Sequence, residues 1–283
     1  MKDKNNKISS LLHNGDKVLD LSTPRVMGIL NLTQDSFYEP SRNQSTKELL
    51  TTVEKMLQDG ADILDLGAYS TRPGAIEVPL EAEAQRVQEA VTAIRKNFGE
   101  VWISVDTFRS EVAQRGIDQG ADIINDVSGG TLDEHMFATV AKNQVPYILM
   151  HMRGTPQTMQ SLCNYDNLVE DIYEDLMQKV RKLNALQHNN IILDLGYGFA
   201  KTLDQNYELL AHQNKFTTMG YPILTGISRK SMIYKALDIT AAESLSATTA
   251  LNMFALNKGA NILRVHDVKE AKQVVELNKR LHQ

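Results

Sequence analysis

"QGADIINDVSGG", residues 119–130, has two echoes in this chain of 283 residues: "DGADILDLGAYS" at 59–70 and "KGANILRVHDV" at 258–268. Each opens on Gly-Ala-Asp or Gly-Ala-Asn, runs through a few apolar residues and ends on polar ones. Gly60, Gly120 and Gly259 each follow an amphipathic segment of helical period, where a glycine takes the left-handed conformation without steric cost. The runs behind them are rich in Ile and Leu and lack polar alternation, as in strands of a parallel sheet covered on both faces. Each phrase therefore reads as helix end, turn and buried strand.

Working outward, eight such runs emerge: Val26–Leu30, Ile63–Leu66, Val101–Val105, Ile123–Ile124, Tyr147–Met150, Ile191–Leu193, Ile223–Leu224 and Ile262–Val265. Helical patterns separate them at Thr46–Gln58, Leu80–Asn97, Ser110–Gln119, Asp133–Lys142, Asn167–Leu186, Asp204–His212, Leu245–Asn257 and Val268–Leu281. Gly60 to Gly120 spans two strand–helix units and Gly120 to Gly259 spans four, a mean of about 33 residues per unit against the roughly 31 of a typical eight-fold barrel. The spacing predicts a single-domain (β/α)8 TIM barrel over residues 25–283, with residues 1–24 an N-terminal extension leading into it. A doubly wound open sheet is the alternative, but no G-x-G-x-x-G follows the first strand.

Composition narrows the setting. The net charge is -5, without the basic footprint of a nucleic-acid binder. The single cysteine, Cys163, allows no internal disulfide and points to a reducing compartment. The N-terminus "MKDKNNKISS" lacks a signal-peptide core, and no run approaches the ~20 apolar residues of a membrane helix. The expectation is a soluble cytoplasmic protein without nucleic-acid or membrane partners.

Barrels carry their chemistry at the C-terminal strand ends. Those ends hold Asn31, the loop Ser70-Thr71-Arg72, Asp106, Asn125 with Asp126, His151, Asp194, the turn Ser228-Arg229-Lys230, and Arg264 with His266. Taken singly, each has a bland explanation. Asp106 and Asp126 could cap the next helix, Asp267 could cap the last one, and Arg229-Lys230 could be solvated charge. His151 could equally be a packing residue, Met150 and Met152 read as space-fillers, and Asp65, mid-strand, as a core carboxylate without a catalytic role. Taken together they describe a site for a flat polar heterocycle joined to an anion. Carboxylates such as Asp106 and Asp194 accept paired N–H donors, and Lys230 and Arg264 meet carbonyl or phosphate oxygens. The loops after strands seven and eight, the usual barrel phosphate site, hold Ser228, Arg229, Lys230, Arg264 and His266. No Walker loop, H-E-x-x-H or G-x-S-x-G occurs, and Cys163 has no evident base partner. Metal-assisted displacement of a phosphate leaving group fits better than covalent catalysis.

The segments also resemble those of the dihydropteroate synthase family. In order they are "GILNLTQDSF" (28–37), "STRPGA" (70–75), "ISVDTF" (103–108), "INDVSG" (124–129), "LMHMRGTPQTMQ" (149–160), "ILDLGYGFAKT" (192–202), "GISRKS" (226–231) and "RVHDV" (264–268). The resemblance implies a transferase of folate synthesis that condenses 6-hydroxymethyl-7,8-dihydropterin diphosphate with 4-aminobenzoate, releasing pyrophosphate. It implies that Asp106, Asn125, Asp194 and Lys230 hold the pterin, and that Arg264, His266 and Asn31 approach the diphosphate. Asp106, Lys230, Arg264 and His266 would form the catalytic group, and Asn31 would contact Mg2+. Thr71, Arg72, Pro73, Phe199, Lys230 and Ser231 would shape the aminobenzoate site, where sulfonamides compete. A homodimer is also implied. The same barrel type serves pterin-binding methyl-transfer modules, and a non-catalytic pterin-binding paralogue is a further alternative. Three positions depart from the family pattern. Gln34 replaces a usual Pro, "YEPSRNQS" follows Phe37 where a glycine pair is common, and Leu195 replaces a frequent Pro after Asp194.

Overall fold

A computed structural model describes residues 10–32, 42–69 and 78–282. The chain begins with a hairpin of two antiparallel strands, β1 (Leu11–Asn14) and β2 (Lys17–Asp20), turning through Asp16 and Gly15. Eight parallel strands follow: β3 (Arg25–Asn31), β4 (Ile63–Gly67), β5 (Trp102–Asp106), β6 (Ile123–Asp126), β7 (Tyr147–Met150), β8 (Ile191–Asp194), β9 (Ile223–Thr225) and β10 (Ile262–Val265). They pair in sequence order, and β10 returns to pair with β3, so the sheet closes into a barrel. The helices around it are α1 (Arg42–Gln58), α2 (Leu80–Phe98), α3 (Ser110–Asp118), α4 (Met136–Asn143), α5 (Leu168–Ala185), α6 (Leu203–Ala211), α7 (Ser231–Tyr234), α8 (Leu245–Asn257) and α9 (Val268–Leu281). The predicted (β/α)8 barrel is present, with α7 and the hairpin as additions that the periodicity does not reveal.

The repeated phrase now has an atomic meaning. Gly60, Gly120 and Gly259 have φ of +97°, +97° and +91°. In each case the glycine N–H bonds the carbonyl three residues back and the alanine N–H the carbonyl five back, as in Gly259 to Leu256 and Ala260 to Ala255. This is a Schellman stop. The third residue then caps a neighbouring strand: carboxylates of Asp62 and Asp122 and the amide oxygen of Asn261 accept the backbone N–H of Val26, Ile103 and Ile223. The fourth, an isoleucine in all three, enters the barrel floor.

Strand alternation separates two cores. Val26, Leu64, Ile103, Ile124, Leu149, Leu193 and Leu263 pack outward against the helices. Met27, Ile63, Trp102, Ile123, Ile148, Ile192, Leu224 and Ile262 fill the interior at its N-terminal end, and Leu12, Leu19 and Leu21 of the hairpin segment close that layer from below. Each such side chain contributes about 1.5–3 kcal/mol on burial. The hairpin is fastened at its rim by Asp122, which pairs with Lys17 at 2.9 Å and also with Arg95.

One helix starts later than its sequence pattern predicts. Asp133 does not begin α4. Its carboxylate accepts the N–H groups of Ser110, the first residue of α3, and of His135. With its carboxylate on both N–H groups, Asp133 sits in the turn ahead of α4, and its carbonyl accepts the Met136 N–H.

The three glycines differ in what a methyl group would meet. At Gly259 it would sit 2.6 Å from Thr217 Cγ2, whereas at Gly120 its nearest neighbour is Arg95 Nε at 3.4 Å. Both substitutions carry the left-handed penalty of about 1–2 kcal/mol. Gly259→Ala should therefore lower the urea midpoint more than Gly120→Ala; equal shifts would contradict the packing account.

Candidate active site

At the C-terminal ends of the strands the interior opens into a cavity of about 490 Å³. Every barrel strand, or the loop leaving it, contributes to its wall. Asn31, Asp106, Asn125, Asp194, Phe199, Lys230, Ser231, Arg264 and His266 all line it, so nine of the residues singled out in the sequence share one mouth. Thr71, Arg72 and Pro73 lie outside the described residues, as do Gln34 and residues 38–41 of the segment after Phe37, whose remaining residues begin α1.

A charged network forms the cavity's inner wall. Arg264 on β10 reaches across β3, donating from Nε to Asp65 Oδ2 on β4 and from Nη2 to Asp106 Oδ2 on β5, both at 2.6 Å. Asp65 is fully buried and also accepts the amide group of Asn125, at 3.1 and 3.3 Å. That bond draws on the donor side of the Asn125 amide, whose carbonyl oxygen can accept from a ligand. Asp106 keeps 16% of its side-chain surface open to the cavity, yet the surrounding protein excludes enough water to push its carboxyl up to about 7. Arg264 opposes that rise, and the nearby Asp65 and Asp126 carboxylates add to it. Burial works against the Arg264 charge, but Asp65, Asp106 and Asp194 together overcome it and raise its pKa.

Across the cavity, burial raises the pKa of Asp194, while Lys230 and the Gly196 N–H resist the shift. Its Oδ1 accepts the Gly196 N–H at 2.8 Å. Leu195, the position where the family often has Pro, is buried in the core between strand and helices. Lys230 donates to the Tyr197 carbonyl at 2.6 Å and lies 5.0 Å from the centre of the Phe199 ring. Burial pulls its ammonium down to about 8, against the pull of Asp194.

Several bland readings give way here. Asp126 does not cap a helix; its oxygens accept the N–H groups of Ser128 and Gly130 and the Tyr147 hydroxyl, which folds the loop after β6. Asp267 stands at the N-cap position of α9 without making a side-chain cap. It instead binds Arg229 through two bonds of 2.8 Å. Arg229 also donates to the carbonyls of Ala241 and Ala242. Most of its donors are therefore spent on protein acceptors rather than on water, although the residue also lies along the cavity wall. It holds a turn in which its own φ is +53°, a strained value for a side-chain-bearing residue, and from which Lys230 and Ser231 face the cavity. Ser228 Oγ accepts the His266 N–H and lies 3.1 Å from His266 Nδ1, which fixes the ring at the rim.

Met150 and Met152 pack with Val127, Met159 and Ala200 as expected, although Met150 also reaches the cavity wall. His151 is not merely a packing residue: its ring meets buried Lys201 at 3.1 Å. Asp65 is the enclosed core carboxylate that its mid-strand place suggested, satisfied by Arg264 and Asn125, whereas Lys201 escaped the sequence reading. Asp65 has a usable signal, since a carboxylate two residues after an inward isoleucine must itself face inward and needs a partner. Lys201 has none, because its role depends on how a loop folds back. Among the described residues no cluster of three or more His, Cys, Asp or Glu side chains could hold a metal, and no helix is long and apolar enough to cross a membrane.

Residues 27–266 match the family of pterin-binding enzymes. The chain is 41% identical to the dihydropteroate synthase of Haemophilus influenzae over 94% of its own length and 97% of that protein's. It is 42% identical to the Escherichia coli enzyme over 91% and 93%. In structure it resembles a Yersinia pestis dihydropteroate synthase complexed with a sulfonamide drug, with a TM-score of 0.88, 37% identity and coverage of 96% and 99%. It likewise resembles the Xanthomonas albilineans enzyme with 4-aminobenzoic acid, with a TM-score of 0.87, 31% identity and coverage of 96% and 98%. With eight strand ends converging on one polar cavity, and similarity of this extent in sequence and structure, the chain belongs to the dihydropteroate synthase family of transferases.

Proposed function

We propose that this cavity joins 6-hydroxymethyl-7,8-dihydropterin diphosphate to 4-aminobenzoate, giving 7,8-dihydropteroate and pyrophosphate for folate synthesis. The observation that carries this reading is the convergence of Asp106, Asn125, Asp194, Lys230 and Arg264 on one cavity. A pterin presents several N–H donors and a carbonyl along one flat edge. Asp194 and the Asn125 carbonyl oxygen are acceptors for the former, and the Lys230 ammonium is a donor for the latter. Arg264, kept cationic by Asp65 and Asp106, faces the ring and the diphosphate together with His266 and Asn31.

The chemistry asks the protein for positioning and charge stabilisation more than for a nucleophile. The bond from the pterin methylene to the diphosphate oxygen breaks, and the electron-rich ring shares the positive charge left behind. The aminobenzoate nitrogen then attacks with a lone pair already free at neutral pH, and the new C–N bond is completed by loss of one amine proton to the departing pyrophosphate or to water. Asp106, deep beside the ring and carrying a raised pKa, stabilises that positive charge once ionised. Phe199 and Lys230 form the described part of the second-substrate wall; the carboxylate of aminobenzoate would meet Lys230 and Ser231, with Thr71, Arg72 and Pro73 completing the site.

Mg2+ fits this donor set because it is commonly held by one or two protein oxygens plus substrate phosphates, and Asn31 supplies one exposed amide oxygen at the mouth. When bound it would neutralise charge on the leaving diphosphate. Competition by sulfonamides for the aminobenzoate site, a homodimeric assembly and a cytoplasmic location belong to the same reading.

The protein should release pyrophosphate only when pterin diphosphate, aminobenzoate and Mg2+ are all supplied; release without the amine would refute the reaction. Asp194→Ala should weaken pterin binding by about 1–3 kcal/mol, because ring donors would face a pocket without their acceptor. Unchanged affinity by isothermal titration would remove Asp194 from the site. Lys230 is charged below its pKa and neutral above it, so its attraction for an anionic substrate is lost as pH rises through about 8. The kcat/KM for aminobenzoate should fall over that range, and Lys230→Arg should move the fall upward in pH. An unmoved limb would assign it to another group, such as Lys201, which burial lowers to about 7.

A further inference from the structure

The loop from β8 to α6, "LGYGFAK" (195–201), is held in a costly shape. Gly196, Gly198 and Ala200 have φ of +68°, +83° and +48°, so every second residue is left-handed, and Ala200 is so without being glycine. A methyl group on Gly196 would lie 2.0 Å from the His151 carbonyl oxygen, which shows how closely the loop is pressed against the end of β7. Such a conformation persists only where its surroundings over-determine it.

At the centre of this knot is the ammonium of Lys201, a residue only 3% exposed. It donates to the Gly196 carbonyl at 2.9 Å and the Phe199 carbonyl at 3.0 Å, and meets His151 Nδ1 at 3.1 Å. Three N–H donors face three acceptors, the full capacity of an ammonium. Burial lowers its pKa to about 7, countered chiefly by the Asp194 carboxylate. The two carbonyls it grips flank the residues that build the cavity wall. Between them, the Tyr197 carbonyl accepts from Lys230 and the Phe199 ring lies beside the Lys230 ammonium. Lys201 itself does not line the cavity. Asp194, by contrast, is the last residue of β8 and is held by the barrel ladder.

We propose that Lys201 is a positioning residue for the aminobenzoate side of the active site: by tying Gly196, Phe199 and His151 together, it sets the Phe199 ring and, through the Tyr197 carbonyl, the Lys230 ammonium. The assignment of that side rests on the reaction proposed above, whereas the tie itself is a property of the loop.

The test compares wild type with Lys201→Met, which keeps the length and loses every donor, and Lys201→Gln, which keeps two. Lys201→Met should raise KM for aminobenzoate about tenfold or more, the scale of losing hydrogen bonds to a charged group. KM for pterin diphosphate should rise several-fold less, since Asp106, Asn125 and Asp194 stand on the barrel strands and only Lys230 and the Gly196 N–H reach the pterin side from the loop's contacts. Lys201→Gln should recover part of the difference. Hydrogen exchange of the 195–201 amides should quicken in Lys201→Met while that of the barrel strands does not. Equal rises in both KM values, or wild-type exchange in the loop, would overturn the proposal. Should Lys201→Met fail to fold, Lys201→Gln decides by the same two readouts. Absence of turnover in wild type would instead count against the reaction, and the exchange comparison would still decide the tie.

Discussion

A guanidinium inside a β-barrel, with only a fifth of its side-chain surface exposed, is poorly hydrated and has to be neutralised largely where it stands. Arg264 meets that requirement by reaching over β3 to carboxylates on β4 and β5. Removing one partner of such a group typically costs about 3–5 kcal/mol, yet a well-packed apolar replacement of the whole set is often neutral or better. Stability alone therefore does not account for the network. Its consequence is positional. Asp65 is fully enclosed and serves only its neighbours, Arg264 and Asn125, while Asp106 stays open to the cavity. One carboxylate fixes the cation, which leaves the other for a ligand.

The two ends of the barrel show the contrast within one molecule. At the N-terminal end the interior is filled with Ile, Leu, Met and Trp and sealed by the hairpin. A few residues further along the same strands, the inward positions become Asp65, Asn125, Asp194 and Arg264, and a cavity opens. The apolar floor supplies the burial that holds the barrel closed, and the closed barrel supplies a rigid ring on which poorly solvated charges are kept apart at set distances. Desolvation is then the shared cause of the unusual protonation behaviour: Asp106 and Asp194 move up, Lys230 and Lys201 move down. Asp106, Asp194 and Lys230, shifted in opposite directions and facing one cavity, are what a site for a polar, charged heterocycle requires, while Lys201 lies behind its wall.

How much of this was legible beforehand differs by residue. The Gly-Ala-Asp-Ile phrase could be read because each of its letters answers a local demand: a left-handed stop, a return contact, a cap for the adjacent strand and a floor residue. Asp194, Asn125, Lys230 and Arg264 could be read because strand period and strand end give their direction without knowledge of any neighbour. Asp65 could be read as a core carboxylate from its place in mid-strand, but its partner could not, since Arg264 lies 199 residues away. Arg229 looked like surface charge because its partners, Asp267 and two loop carbonyls, are set by a turn that sequence spacing does not describe. The late start of α4 follows from the same cause, since Asp133 answers to α3 more strongly than to its own helix.

What the sequence by itself determined was the order and period of the elements, the closing of eight strands in one direction, and the set of polar residues delivered to a single end. These depend on interactions along a few consecutive residues, where steric limits and alternation act directly. Which of those residues face the cavity and which serve other side chains was decided only by the tertiary structure. A hydrogen bond to Asp65, to His151 or to Asp267 exists only after segments far apart in the chain have been brought within 3 Å or so, and a charge reveals its partner only in the place where water has been removed.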